Sequence, residues 1–510
     1  MRVFIALSLV LLACGPTRVQ RTLVPPTHVA TLDRKSPFLK AHLRTGYVYV
    51  LHAWQVDSAG TLVSGQGSLL TPDREVESDG EYRLPVDSVA LFETNLLKQG
   101  GGVTALAVMT GVTAAVTAAC LVDTKACFGS CPTFYVTDGV TDGAEAFLHA
   151  EGFSASIAPA LEATDVDALY RVNPRGRDFR LRLTNEALET HVIRHADVLA
   201  LPRPPSARVL VTPGGRFRPA TSLQAPLRCA AAEGDCADLV GGFDGRERMS
   251  PADSFDLAAR ETIDLEFAPV PGEAGLVVTS RQSLMTTYLL YRSLSYLGSH
   301  AAGWLATLGS TGSEESLAAQ GLGRLLGKIE VLVPDPAGGW RLAGSIGETG
   351  PLAADTKVVP LPPTGGRPLR VRLRLTRGLW RIDYLALARL GEPLAPRRIP
   401  PASVERDGRS DPAARQALTD SARSLVTLPG DAYDLVYRLP EHPERYELFL
   451  ESRGYYLEWM REEWLAEENL LRAAQLVLDP AGALRDLAPA YKEREPDMER
   501  LFWSSRYVRR

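Results

Sequence analysis

The sequence predicts a mainly β, multi-domain protein of β-sandwich or jelly-roll type, with helical insertions and a C-terminal α+β region. Apolar and polar residues alternate with period two in many short runs. In "LRVRLRL", Leu369, Val371, Leu373 and Leu375 form one face, and Arg370, Arg372 and Arg374 the other. Clusters of Gly, Pro, Asp and Ser separate these runs, as the turns of a sandwich do. Helical period is confined to a few stretches, chiefly 282–327 and 457–478. The 510 residues leave room for roughly three or four domains. A hydrophobic content of 45% suffices for sizeable cores. The 56 basic residues, mostly arginine, are scattered among 61 acids, for a net charge of −5. No basic patch forms, so nucleic acid is not an expected partner.

The chain opens "MRVFIALSLVLLACGP". Arg2 precedes an apolar run from Val3 to Ala13, which is shorter than the roughly 20 residues that span a bilayer. The layout is that of a secretory signal. Its end, Leu11-Leu12-Ala13-Cys14, resembles the lipobox of bacterial lipoproteins. That resemblance implies removal of a signal peptide, residues 1–13, and acylation of Cys14 with palmitate-type chains. The membrane then becomes a partner through a lipid anchor of several chains, since a single chain binds only marginally. Gly15 stands where an aspartate is absent, which in that family goes with the outer membrane or the periplasmic face of the envelope. Residues 14–28 read as a lipidated, proline-bearing tether.

Residues 29–98 read as a small β domain, led by the β-branched and aromatic run "GYVYVLHAWQV". Residues 99–124 follow as an apolar Ala/Gly/Thr helix. Ala107, Gly111, Ala115 and Ala119 fall at i, i+4 spacing, a small-residue face suited to close packing. Its length also admits a membrane-inserted hairpin or span, although Ala, Thr and Gly supply little transfer energy. Residues 125–250 are expected to form a β domain with cysteine pairs. An exported chain meets an oxidising compartment. Cys229 and Cys236 bracket the turn-forming "AAAEGD" and are expected to pair. Cys131 is expected to pair with Cys120 or Cys127, leaving one thiol over. No CxxC or zinc-finger spacing is present.

Residues 251–394 read as a β-sandwich with a helical insertion at about 282–327. The run "GGWRLAGSI…TKVVPLP…LRVRLRL…WRIDYLALA", within 328–390, resembles galactose-binding-like jelly-roll domains. It carries no ligand residues over. Residues 395–420 read as a proline- and charge-rich linker. The α+β region 421–510 is expected to hold strands at "YDLVYRLP" and "RYELFLESRGYY", then an amphipathic helix over 457–478. As a whole, and in "CFGSCPTFYV", "LRLTNEALETH" and "ESRGYYLEW", the chain resembles multi-domain bacterial lipoproteins of uncharacterised role.

Candidate chemistry is sparse. His191 and His195, with Asp197 behind them, suit a metal on a helix but lie too far apart on a strand, which the flanking residues favour. No G-x-S-x-G elbow occurs. "QGLGRLLGK" (320–328) fails as a phosphate loop, because five residues separate Gly321 from Gly327 and Ile329 replaces the Ser or Thr. Tyr455, Tyr456, Glu458, Trp459 and Trp464 mix aromatic faces with a carboxylate, which suits a sugar, a partner protein or simple core anchoring. No catalytic residue, cofactor or nucleotide is assigned. The expectation is a lipid-anchored envelope protein that binds a glycan or envelope protein without catalysis. The alternative is an envelope hydrolase acting on glycan or peptide bonds.

Overall fold

A computed structural model describes residues 17–99, 132–301 and 321–505, apart from short stretches at 25, 44–46, 71–75, 138–145, 154–155, 158–160, 171, 173, 175, 186–188, 348–349, 364–366, 429–430, 459–463 and 465–466. Cys14, the pair region with Cys120, Cys127 and Cys131, the stretch 100–124 and Trp459 lie outside the described residues.

The protein is mainly β, in several antiparallel sheets with a few helices. Its first six strands are β1 (Thr17–Val24), β2 (Phe38–Leu43), β3 (Val48–Val56), β4 (Leu62–Leu70), β5 (Val76–Pro85) and β6 (Val89–Gln99). They form one sheet in the order β1-β6-β2-β3-β4-β5. Leu39, Leu51, Val63 and Phe92 fill its core. The stretch expected as a tether differs from that expectation. β1 pairs with β6 from Thr17↔Gln99 to Val24↔Phe92. Its Thr and Val residues favour a strand, and its pairing covers the edge that β6 would otherwise expose.

The chain then lays down β7 (Thr133–Thr137), β8 (Ala146–Glu151), β9 (Ala163–Ala168), β10 (Asp178–Thr184) and β11 (Glu189–Pro202). It next builds a complete second unit from twelve strands. These are β12 (Arg208–Val211), β13 (Phe217–Gln224), β14 (Arg228–Ala231), β15 (Gly234–Asp235), β16 (Arg248–Met249), β17 (Arg260–Phe267), β18 (Ala274–Gln282), β19 (Ile329–Pro334), β20 (Trp340–Ile346), β21 (Asp355–Leu361), β22 (Leu369–Thr376) and β23 (Trp380–Leu390). It returns with β24 (Arg397–Ile399), β25 (Ser403–Arg406), β26 (Arg409–Ser410), β27 (Leu425–Thr427), β28 (Ala432–Arg438) and β29 (Tyr446–Glu458). The returning strands complete the first unit as two sheets, β26-β25-β28-β10-β7-β8 and β24-β11-β29-β9, with β27 added to β11. Leu181, Leu183, Ile193, Val198, Leu435 and Leu450 interdigitate between them. The unit expected over 125–250 is therefore split. Its strands to Pro202 pair with 397–458, and those from Arg208 join the second sandwich.

The second sandwich packs β13-β12-β21-β18-β23-β16 against β15-β14-β17-β22-β19-β20. β13 also pairs with β23, so five strands of the first of these sheets close into a ring. Small side chains fill that ring, among them Ala220, Val277, Val358, Ala386 and Ala388. A Cβ on Gly275 would meet Leu390 and Val358 at 2.7 Å, so no larger residue fits there. Val371, Leu373 and Leu375 face the core as the alternation requires. Arg372 faces outward and pairs with Asp264 at 2.6 Å. The disulfide Cys229–Cys236 closes the turn after β14 and is buried in the same core. Within the expected helical insertion lie α1 (Met285–Leu297) and α2 (Leu322–Leu326).

Two further expectations differ from the fold. The stretch 395–420 is no linker. It carries β24, β25, β26 and α3 (Pro412–Thr419), whose N-terminus is capped by Asp411 accepting from Ala414 N at 2.9 Å. The composition that reads as a linker is here a helix start. The expected helix over 457–478 is also displaced. β29 stays extended to Glu458, because β11 pairs with it along its whole length. Beyond it Trp464 is helical, and α4 (Leu470–Leu478) follows, with Asn469 accepting from Arg472 N. α5 (Pro480–Ser505) follows and sets Leu484, Leu487 and Tyr491 into the second sandwich's core.

Candidate functional site

β11 and β29 bring together residues from 244 (Pro202 and Tyr446) to 269 (Glu189 and Glu458) positions apart. Their register runs from Glu189↔Glu458 through His191↔Tyr456 to Pro202↔Tyr446, with a bulge between Ile193 and His195. Opposed residues share a face. Ile193, Ala196 and Val198 all belong to the core between the sheets. The bulge therefore puts His191, two before Ile193, on the inner face and His195, next to Ala196, on the outer one. The two imidazoles cannot share an ion. Among the described residues no group of three or more His, Cys, Asp or Glu is placed to hold a metal.

On the inner face the side chains of Glu189 and His191 are both fully buried, with Oε2 and Nε2 3.6 Å apart. The Tyr456 ring stands edge-on to the imidazole at 6.5 Å. Asn185 Nδ2 donates to the Glu189 and Thr427 carbonyls, tying this end of β11 to β27. Glu458 accepts from the Tyr291 hydroxyl at 3.1 Å. Tyr291 lies on α1, and its ring packs on Trp464 at 5.7 Å.

The outer face is a lattice of ion pairs. His195 Nε2 lies 3.1 Å from Glu451 Oε1. Arg398 joins Glu451 at 2.5 Å to Asp197 at 2.9 Å. Burial opposes the charge on Arg398, and hydrogen bonds to Asp197 and Glu451 outweigh it and raise its pKa. Glu162 bridges Arg194 and Arg453 at 2.8 and 2.7 Å. Its burial favours the neutral acid, but the two guanidiniums win and hold its carboxyl below the ordinary range.

Among the described residues of the expected aromatic face, no open platform is seen. Tyr455 and Tyr456 project from opposite faces of β29, and both are buried, as is Trp464. Arg194 lies over the Tyr455 ring at 6.0 Å. These described rings anchor the strand and α1 and are not offered to a sugar. What the sequence reading missed is Glu189, Tyr291, Glu451 and Arg398. Only Glu189, two residues before His191 in a strand, carried a local signal.

The exposed feature is elsewhere. α4 turns Ala473 and Leu476 inward, while Leu470 (48% exposed), Leu471 (85%), Val477 (66%) and Leu478 (83%) face outward. The spacing i, i+1, i+7, i+8 makes them one stripe along the helix.

No family model and no curated protein matches the sequence. Among solved structures, a GH31 alpha-xylosidase from Xanthomonas citri aligns at 9% identity and a TM-score of 0.16. The alignment covers 86% of this chain and 38% of that one, so this chain spans well under half of that enzyme's length. A likeness of that size carries no inference about fold or activity.

Proposed function

We propose a lipid-anchored protein of the bacterial envelope with a non-enzymatic role, docking a protein partner through the outward stripe of α4. The observation that carries this reading is the chemistry of the stripe. It is purely aliphatic, which suits the packing of another protein and gives a sugar nothing to stack on or hydrogen-bond to. The charged groups beside it are taken up within the chain, Glu467 by Arg292 and Asp479 by the Gly482 amide. The partner is therefore an aliphatic protein surface. The anchor at Cys14 rests on the sequence "LLAC" alone.

A photo-crosslinker at position 471, in native envelopes, tests the docking. The expected result is one protein adduct whose attachment site is aliphatic, lost in Leu478→Glu. Adducts with lipid alone, or an adduct indifferent to Leu478→Glu, would refute it. Cys14→Ala is expected to release the protein to the soluble fraction and to remove acyl mass from the mature chain.

One observation favours the hydrolase reading. Glu189 stands opposite Glu458, so two carboxyl side chains share one face of the sheet. Glycosidases act through a pair of carboxyls. Glycan hydrolysis by the wild type that vanishes in both Glu189→Gln and Glu458→Gln would establish that reading. Wild-type inactivity on envelope glycans would remove it.

A further inference from the structure

We infer that the junction between the two sandwiches is a proton-operated latch, closed when Asp167 carries a proton and opened when it ionises. At this junction β9, the edge of one sandwich, meets β21 of the other. Lys357 on β21 donates to the Val166 carbonyl of β9 at 2.8 Å and pairs with Asp355 at 2.5 Å. From β8, Glu151 accepts the Leu352 N–H at 2.7 Å in the loop before β21. Each contact crosses from one sandwich to the other or fixes a group that does.

The charges here do not balance. Asp165 and Asp167 on β9 and Asp355 on β21 face one another, with Glu151 of β8 close by and, among the described residues, Lys357 as their cation. Three carboxylates against one ammonium cannot all ionise out of water. The next charged groups outward, Arg208 and Glu447, neutralise each other through two hydrogen bonds of 2.9 and 3.0 Å. Two independent features mark where the missing proton sits. Asp167 is 4% exposed, and its Oδ2 has no hydrogen-bond partner. Ser452, directly opposite Asp165 on β29 and therefore on the same face, is fully buried with an unpartnered Oγ. A bare carboxylate in that setting is strongly disfavoured, whereas a neutral carboxyl is tolerated.

Burial, then Asp165 and Asp355, push the Asp167 carboxyl well above its ordinary value, against the smaller opposing pull of Lys357. Burial likewise raises Asp165. The sign follows directly. A carboxyl whose pKa is higher in the closed state than in the open one stabilises closure below its ordinary pKa, near 3.9. That stabilisation is lost as pH rises towards and through the raised value.

Hydrogen exchange of the full-length protein, corrected for intrinsic rates, tests the latch at the Leu352 amide and at the β9 amides. Protection there is expected to fall by up to about tenfold per pH unit between the ordinary carboxyl value and the raised one, as one released proton requires, and to level off above it. Asp167→Asn should remove most of that fall, leaving only the part that the raised Asp165 contributes. Lys357→Met should start to open at lower pH, because the ionised acids lose their counter-ion. Infrared spectra should show a protonated-carboxyl band in the closed wild type that Asp167→Asn lacks. Equal pH profiles for the wild type and Asp167→Asn overturn the latch. If Asp167→Asn does not fold, a pH-independent loss in Lys357→Met or a missing infrared band in the wild type does so.

Discussion

A Cβ built on Gly454 would lie 2.2 Å from the Val192 carbonyl oxygen and 2.9 Å from the Phe153 ring. Gly454 faces Ile193 at the bulge, so its bareness lets β29 approach the kinked β11. Gly454→Ala is expected to destabilise by about 1–3 kcal/mol, seen as a lower denaturation midpoint. An unchanged midpoint would mean that the bulge is not held by this contact. A second test concerns Arg248, which is buried and grips Glu261 at 2.8 Å and Glu233 at 2.6 Å. Glu261 is buried with it and also accepts from Ser250. Arg248→Met strands that carboxylate and is expected to cost about 3–5 kcal/mol. Arg248→Met with Glu261→Leu should recover part of the loss, which a double-mutant cycle reads out. At this scale the sequence was least informative. The i, i+4 spacing of His191 and His195 is visible by counting, whereas the bulge that turns them to opposite faces depends on a partner strand 260 residues on.

Among the elements, the hairpin closed by Cys229–Cys236 was legible because both its ends and its turn lie within eight residues. Closing so short a loop restrains the unfolded chain, and reduction is expected to lower stability by about 2.5 kcal/mol, measured by denaturant titration with and without reductant. A change near zero would place the stabilisation elsewhere. α4 allows a contrast between its two faces. Leu476→Ala, on the buried side, is expected to cost about 2–5 kcal/mol. Leu471→Glu with Leu478→Glu, on the exposed side, should stay within about 0.5 kcal/mol of wild type. Strong destabilisation by the second pair would show that the stripe is a packing surface and would sink the docking proposal. The helical period around 457–478 was real in the sequence, but the pairing of β29 with β11 overrode its first part.

Across the whole molecule, one complete sandwich is inserted between the strands of another. Leu181 of β10 pairs with Leu435 of β28, and β11 pairs with β29 across a similar gap. Closing such loops before the inserted unit folds is entropically unfavourable. Pulse-labelled refolding is therefore expected to protect β22 and β23 before β10 and β11. Simultaneous or reversed protection would contradict that order. The junction between the two units is where a proton can act on the whole assembly, since Asp167, Asp355 and Lys357 belong to different sandwiches yet share one buried space.

Period-two alternation, turn residues and the short Cys229–Cys236 spacing determined by themselves that the chain is mainly β, roughly where its strands fall, and which two cysteines join. These are properties of a few consecutive residues. Tertiary structure alone decided that Tyr455 and Tyr456 are buried anchors, that 397–458 completes the sandwich begun at 133, and that Asp165, Asp167 and Asp355 meet Lys357 at a seam. Whether a side chain is buried, paired or charged depends on what lies opposite it, and here the opposing residue lies far along the chain, as Lys357 does from Val166.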